Sequence, residues 1–110
     1  MLKQKFFYFE GYGNFSRDFG WDDGLIVSVK RAFDRKTALQ IMEEDLEDCW
    51  SECCAHELPT SDNRVCPYFF NEHEGSREVR GFCLASSYDE ARELVKKWAL
   101  EVYPKVPYEE

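Results

Sequence analysis

The chain has 110 residues, 14 Lys and Arg against 22 Asp and Glu, a net charge of −8, and nine Phe, six Tyr and three Trp. That length predicts one domain over 1–110, with aromatic side chains supplying core area and disorder confined to the ends, 1–3 and 104–110. The acidity argues against duplex DNA and anionic membrane as main partners, since phosphate binding needs a basic face.

No apolar run approaches the roughly 18–20 residues of a membrane span. The start, MLKQKFFYFEGYG, lacks an extended apolar region and a small-residue cleavage site, so a cytoplasmic protein is expected. Five cysteines, an odd number with Cys53 and Cys54 adjacent, read as reduced thiols rather than a disulfide framework.

Lys3 to Glu10 predicts a strand rich in aromatics. Phe7 and Phe9 take one parity, Phe6 and Tyr8 the other. Either both faces of this strand are covered, or one face is a contact surface. Gly11 to Gly24 holds four glycines, Asn14 and three Asp, and reads as a long loop. Within it Tyr12, Phe15, Phe19 and Trp21 are either a lid folded over the core or aromatic anchors for a partner. Leu25 to Phe33 is the second strand, and Asp34 is placed to cap a helix that starts near Arg35.

The stretch from Thr37 to about Glu57 carries the charge imbalance. Residues 1–36 hold seven basic and five acidic residues, 37–63 none and eight, and 64–110 seven and nine, giving +2, −8 and −2. The helix here is expected to bury Leu39, Met42, Leu46, Cys49/Trp50 and Cys53, which follow a 3-4-3-4 spacing. Glu43, Glu44, Asp45, Glu47, Asp48 and Glu52 fill the rest. No Lys or Arg within the helix stands four residues from any of them, so like charges repel.

Val65 to Asn71 is the third strand. Pro67 cannot donate to a ladder, which places this strand at an edge or at a bulge. A hairpin centred near Gly75 leads to the fourth strand, Glu78 to Ala85. Ser87-Tyr88-Asp89-Glu90 reads as a capping box. The helix it opens runs to Tyr103 with a core stripe of Ala91, Leu94/Val95, Trp98 and Val102, and Pro104 stops it. The element order is ββαββα. It predicts an α+β two-layer sandwich, a four-stranded antiparallel sheet with both helices on one face. Ala32, Ala38 and Ile41 fall on Ala85, Ala91 and Leu94 at an offset of 53, which raises an internal ββα duplication.

No complete catalytic motif is present, and a non-enzymatic protein without cofactor or metal is expected. Cys49, Cys53, His56 and Cys66 allow a zinc site to be drawn, but match no standard pair of knuckles and include core positions. A Cys nucleophile with His56 or His73 would sit among carboxylates, which oppose the thiolate. An Asp22/Asp23 acid–base pair is a chance-level coincidence in so acidic a chain. Gly11, Gly13, Gly20 and Gly24 do not form a phosphate loop.

The remaining feature is the acidic helix. Its one-sidedness predicts an inhibitor-like module that engages a basic, nucleic-acid-binding protein surface or nucleoprotein complex. Glu43, Glu44, Glu47, Asp48 and Glu52 would make the electrostatic contact, and Tyr12, Phe15, Phe19 and Trp21 a second, aromatic one. In size, acidity and lack of catalytic motif the profile resembles small phage-encoded anti-defence inhibitors, including anti-CRISPR proteins and nucleic-acid mimics. That likeness rests on no specific motif and assigns no residue a role. The alternative is single-stranded nucleic acid on an open aromatic sheet face (Phe6, Tyr8, Tyr68, Phe70), with Lys3, Lys5, Lys30, Arg31, Arg35 and Lys36 nearby. A homodimer through that same open face is a further expectation.

Overall fold

The computed structural model describes residues 4–16, 21–22, 24–47, 60–73 and 76–102. Of Phe15, Ser16, Trp21, Asp22, Leu46, Glu72 and His73 it describes the backbone alone. The elements are β1 (Lys5–Ser16), β2 (Trp21–Asp22), β3 (Ile26–Phe33), α1 (Arg35–Glu47), β4 (Val65–His73), β5 (Ser76–Ala85) and α2 (Tyr88–Val102). The fold is α+β in ββαββα order, with the short β2 as an addition within the first hairpin. All strand pairs are antiparallel. β3, β1, β5 and β4 lie side by side in that order, and β2 continues the β3 arm along β1.

β1 is the spine. Phe9 pairs with Gly81 of β5 on one side and Val29 of β3 on the other. Its two parities are both apolar because both faces are covered. Phe7 and Phe9 join Val29, Val65, Val79, Cys83 and Ala85 under Ala91, Val95, Trp98 and Ala99 of α2. Phe6 and Tyr8 join Phe33, Tyr68, Phe69 and Phe82 under Ala38, Ile41 and Met42 of α1. Side chains alternate across a sheet, so the two helices lie on opposite faces. The expected placement of both on one face is therefore corrected: the layers are α2, sheet, α1. Full burial of a side chain such as Phe9 or Trp98 contributes about 2–3 kcal/mol, which favours covering both aromatic parities.

The duplication loses its structural counterpart at the same point. A shift of two strands carries β3–β1 onto β5–β4, but it leaves α1 and α2 on different faces.

The stretch from Gly11 to Gly24 is not a 14-residue loop. β1 runs on to Ser16, and Phe15 and Ser16 pair with Asp22 and Trp21. Only residues 17–20 separate the paired arms. Tyr12 faces Ile26 and Phe15 faces Asp22, so three residues advance on one arm and four on the other. The extra residue is taken up around Gly24, whose φ of 69° is left-handed. A Cβ on Gly13 would stand 1.9 Å from the Gly24 carbonyl oxygen, so glycine at 13 permits the close backbone approach. Glycine content that reads as loop in sequence here serves a bulged hairpin.

β4 is both an edge strand and a bulged one. Its register shifts between Pro67 and Phe69, adding one residue where Pro67 interrupts donation. Gly81 sits opposite. A Cβ there would meet Pro67 Cα and the Cys66 carbonyl oxygen at 2.7 Å and Phe9 Cζ at 2.6 Å. The bulge leaves Tyr68 stacked on Phe82 beneath α1, their ring centroids 5.7 Å apart.

Asp34 caps α1, accepting the Thr37 amide at 2.7 Å, and this bond holds its carboxyl below the ordinary range. The helix buries a different stripe from the expected one. Ala38 is 3% exposed and Ile41 and Met42 are half-buried, whereas Leu39 is 47% exposed. α2 follows expectation more closely. Ser87 Oγ accepts the Glu90 amide at 3.2 Å, but Glu90 reaches back one residue further, to the amide and hydroxyl of Ser86. Ala91, Val95, Trp98 and Ala99 are buried, and Leu100 is exposed as its position opposite the stripe implies.

Candidate functional site

The exposed face of α1 is the first candidate surface. Glu43, Glu44 and Glu47 stand three and four residues apart, all exposed, on one side of the helix with Gln40 and the exposed Leu39. Among the described residues no cation pairs with any of the three. Arg35 and Lys36 occupy the first turn, and neither acidic residues there nor basic ones in the last described turn complement the backbone dipole. Charge along the described part of α1 thus runs from positive at Arg35 and Lys36 to negative at Glu47, the reverse of what the macrodipole favours, while the Asp34 cap complements it at the amino-terminal end. Lys30 and Arg31 at the end of β3 extend the positive end; Arg31 lies over the Phe33 ring at 5.6 Å.

Asp45 departs from its neighbours. The helix turns it toward the sheet, where it accepts the Tyr68 hydroxyl and pairs with Arg80 Nη1 at 3.2 Å. Arg80 also contacts Glu78 at 3.0 Å and lies over the Phe69 ring at 4.9 Å. Burial, reinforced by the Asp45 bond, drives the Tyr68 phenol well above its ordinary pKa and keeps it a neutral donor. The same face of the sheet carries a second polar group. Glu10 accepts hydrogen bonds from Tyr8 at 3.1 Å and from Tyr12 at 3.2 Å. Burial and the Glu10 carboxylate raise both phenols.

The expected contact residues divide. Glu43, Glu44 and Glu47 come together; Asp48 and Glu52 lie outside the described residues. Tyr12 is 50% exposed, on the α1 side of the sheet. Phe15 and Trp21 are placed on the paired ends of β1 and β2, without side-chain description, and Phe19 lies outside the described residues. Of the zinc candidates, Cys49, Cys53 and His56 lie outside, and Cys66 is an exposed thiol. Among the described residues no cluster of three His, Cys, Asp or Glu could hold a metal ion. Cys83 is buried, and burial pushes its thiol up to about 12, which makes it a packed core residue.

Two features escaped sequence reasoning. The Asp45–Tyr68–Arg80 seam joins residues 23 and 35 positions apart, and nothing local signals it. The other is a groove of about 730 Å³ between β3 and α2, with Ile26, Tyr88 and Leu100 exposed along it. The position of Leu100 opposite the α2 core stripe is legible in the sequence, but its meeting with Ile26 depends on α2 lying along β3. Comparisons with protein-family models, with curated proteins and with solved structures give no match for this chain.

Proposed function

We propose that this chain is a non-enzymatic binding module whose α1 face engages a basic protein surface and thereby inhibits or occupies it. The observation that carries the reading is the acidic row Glu43, Glu44, Glu47, exposed on one side of α1 and, among the described residues, without a cationic partner. Fold stability does not account for that arrangement; a cationic partner does, since complementary potential accelerates association and fixes orientation. Leu39, exposed beside Glu43, supplies an apolar contact within the charged face.

Affinity capture from cells that make the protein tests the reading. Capture should weaken steeply between low and high salt, and Glu43→Gln/Glu44→Gln/Glu47→Gln should abolish it. Undiminished capture by the triple variant would sink the proposal. No specific observation favours the single-strand reading: of its stacking platform, Phe6, Tyr8 and Tyr68 pack beneath α1, and Phe70 packs on the other face with the α2 cluster.

A further inference from the structure

We infer that the groove between β3 and α2 is a homodimer interface in which β3 pairs antiparallel with its copy and the two α2 helices face each other across a two-fold axis. This surface is separate from the α1 face and does not depend on the function proposed for it.

The first warrant is the open edge. β3 pairs with β1 on one side, and among the described residues no strand pairs with the other. The opposite edge of the sheet, β4, is blunted by Pro67 and its bulge, both usual protections against edge pairing. Over Ile26–Val29 β3 is regular: Phe9↔Val29, Glu10↔Ser28, Gly11↔Val27 and Tyr12↔Ile26 keep one register. The Val29 carbonyl is turned to the Tyr88 hydroxyl, which donates to it at 3.1 Å. By the alternation of an antiparallel ladder, Val27 presents its amide and carbonyl to the same outer edge. Val27 opposite its own copy would exchange two hydrogen bonds. Ile26, 68% exposed, would then lie beside Ser28 of the copy.

The second warrant selects the occupant. α2 returns from the end of β5 and so runs antiparallel to β3, lining the groove with Asp89, Arg92, Glu93 and Lys96. These read −, +, −, + and are symmetric about the point between Arg92 and Glu93. Facing an antiparallel copy, Asp89 meets Lys96 and Arg92 meets Glu93, on both sides of the axis. Among the described residues none of the four is in an ion pair within the chain. An isologous interface requires such self-complementarity, whereas a foreign strand would not. Strand pairing supplies backbone bonds, and the charge quartet fixes register and partner.

Sedimentation equilibrium on the full chain tests this. The wild type should be a dimer in equilibrium with monomer. Val27→Pro, which removes the outward donor at an edge position, should yield monomer with an unchanged far-ultraviolet spectrum. Arg92→Glu/Lys96→Glu should raise the dimer dissociation constant about tenfold or more by setting like charges opposite each other. Adding Asp89→Lys/Glu93→Lys to that pair inverts the whole quartet and should restore the wild-type constant, a recovery that misfolding cannot imitate. A wild type that stays monomeric at its highest soluble concentration overturns the inference and leaves the groove to another occupant, such as an extended peptide. A dimer whose constant is unmoved by the Arg92/Lys96 pair overturns it too.

Discussion

Tyr68 donates its hydroxyl hydrogen to Asp45, tying the bulged centre of an edge strand to the last described turn of a helix 23 residues away. The bond takes one acid out of the acidic row and uses it to seat α1 on the sheet. Arg80 completes the seat from β5 at 3.2 Å. Replacing Tyr68 by Phe should destabilise the protein by about 1–2 kcal/mol, at the low end for a hydrogen bond to a charged group because Asp45 keeps Arg80 as a partner. Asp45→Ala should cost more, about 2–3 kcal/mol, because the phenol loses its acceptor and Arg80 loses one of its two carboxylate partners. Urea unfolding of the two variants checks the order, and equal losses would show that Arg80 contributes nothing.

The identity of the buried α1 stripe is tested by a pair of truncations. Leu39→Ala removes a side chain 47% exposed and should change stability by less than about 0.5 kcal/mol. Ile41→Ala empties a position packed on the Tyr68–Phe82 cluster and should cost about 1–2 kcal/mol, below the full core value because Ile41 is half-buried. The reverse ranking, measured by thermal or urea denaturation, would restore the stripe expected from spacing alone.

Gly81 and Gly13 should resist substitution for different reasons. At Gly81 an added methyl meets Pro67 Cα and the Cys66 carbonyl, both backbone, and Gly81→Ala should cost about 2–3 kcal/mol through overpacking of the bulge. At Gly13 the obstacle is the Gly24 carbonyl, so Gly13→Ala should loosen the β1–β2 end of the hairpin. Amide hydrogen exchange should register that loss locally, in β2 and the start of β3, while β4 and β5 stay protected.

Neutralising the acidic row should separate stability from binding. Glu43 and Glu47 stand four apart, and each such like-charged pair costs a helix about 0.2–0.5 kcal/mol. Glu43→Gln/Glu44→Gln/Glu47→Gln should therefore be as stable as the wild type or about 0.5 kcal/mol more stable, while losing its partner. A triple variant that is clearly less stable would assign the acids a structural duty instead.

Acid should weaken the turn before β4. Hydrogen bonds from the Arg64 side chain and amide, with the Arg64 charge, hold the Asp62 carboxyl down at about 2. A carboxyl depressed on folding stabilises the native state above its ordinary range, and the contribution disappears as pH falls through about 2. Asp62→Asn should accordingly be less stable than the wild type at neutral pH, and the two should converge as the pH drops through that window. Denaturation midpoints recorded from pH 7 to 2 give the comparison; parallel curves would rule out this linkage.

Local chemistry in the chain was enough for the element order, the Asp34 cap, the start of α2 at Ser87, the core stripe of α2 and the edge-or-bulge status that Pro67 forces on β4. Each of these depends on residues within a turn or two of one another, where propensity, capping and periodicity act. The aromatic parities of β1 carried more than was drawn from them: Phe6 and Tyr8 opposite Phe7 and Phe9 admitted a sheet covered on both faces, and that alternative is the one adopted. What the chain could not settle locally was which side of the sheet α1 would take and which of two overlapping stripes it would bury. Ala38, Ile41, Met42 and Asp45 share Met42 with the stripe Leu39, Met42, Leu46, and helical period alone ranks the more apolar one first. The choice fell the other way because Tyr68 and Arg80, distant in sequence, converge on Asp45 and hold it inward. Hydrogen bonds to a half-buried carboxylate are lost if the helix rotates, whereas an exposed Leu39 costs little, and only the tertiary arrangement sets those two terms against each other.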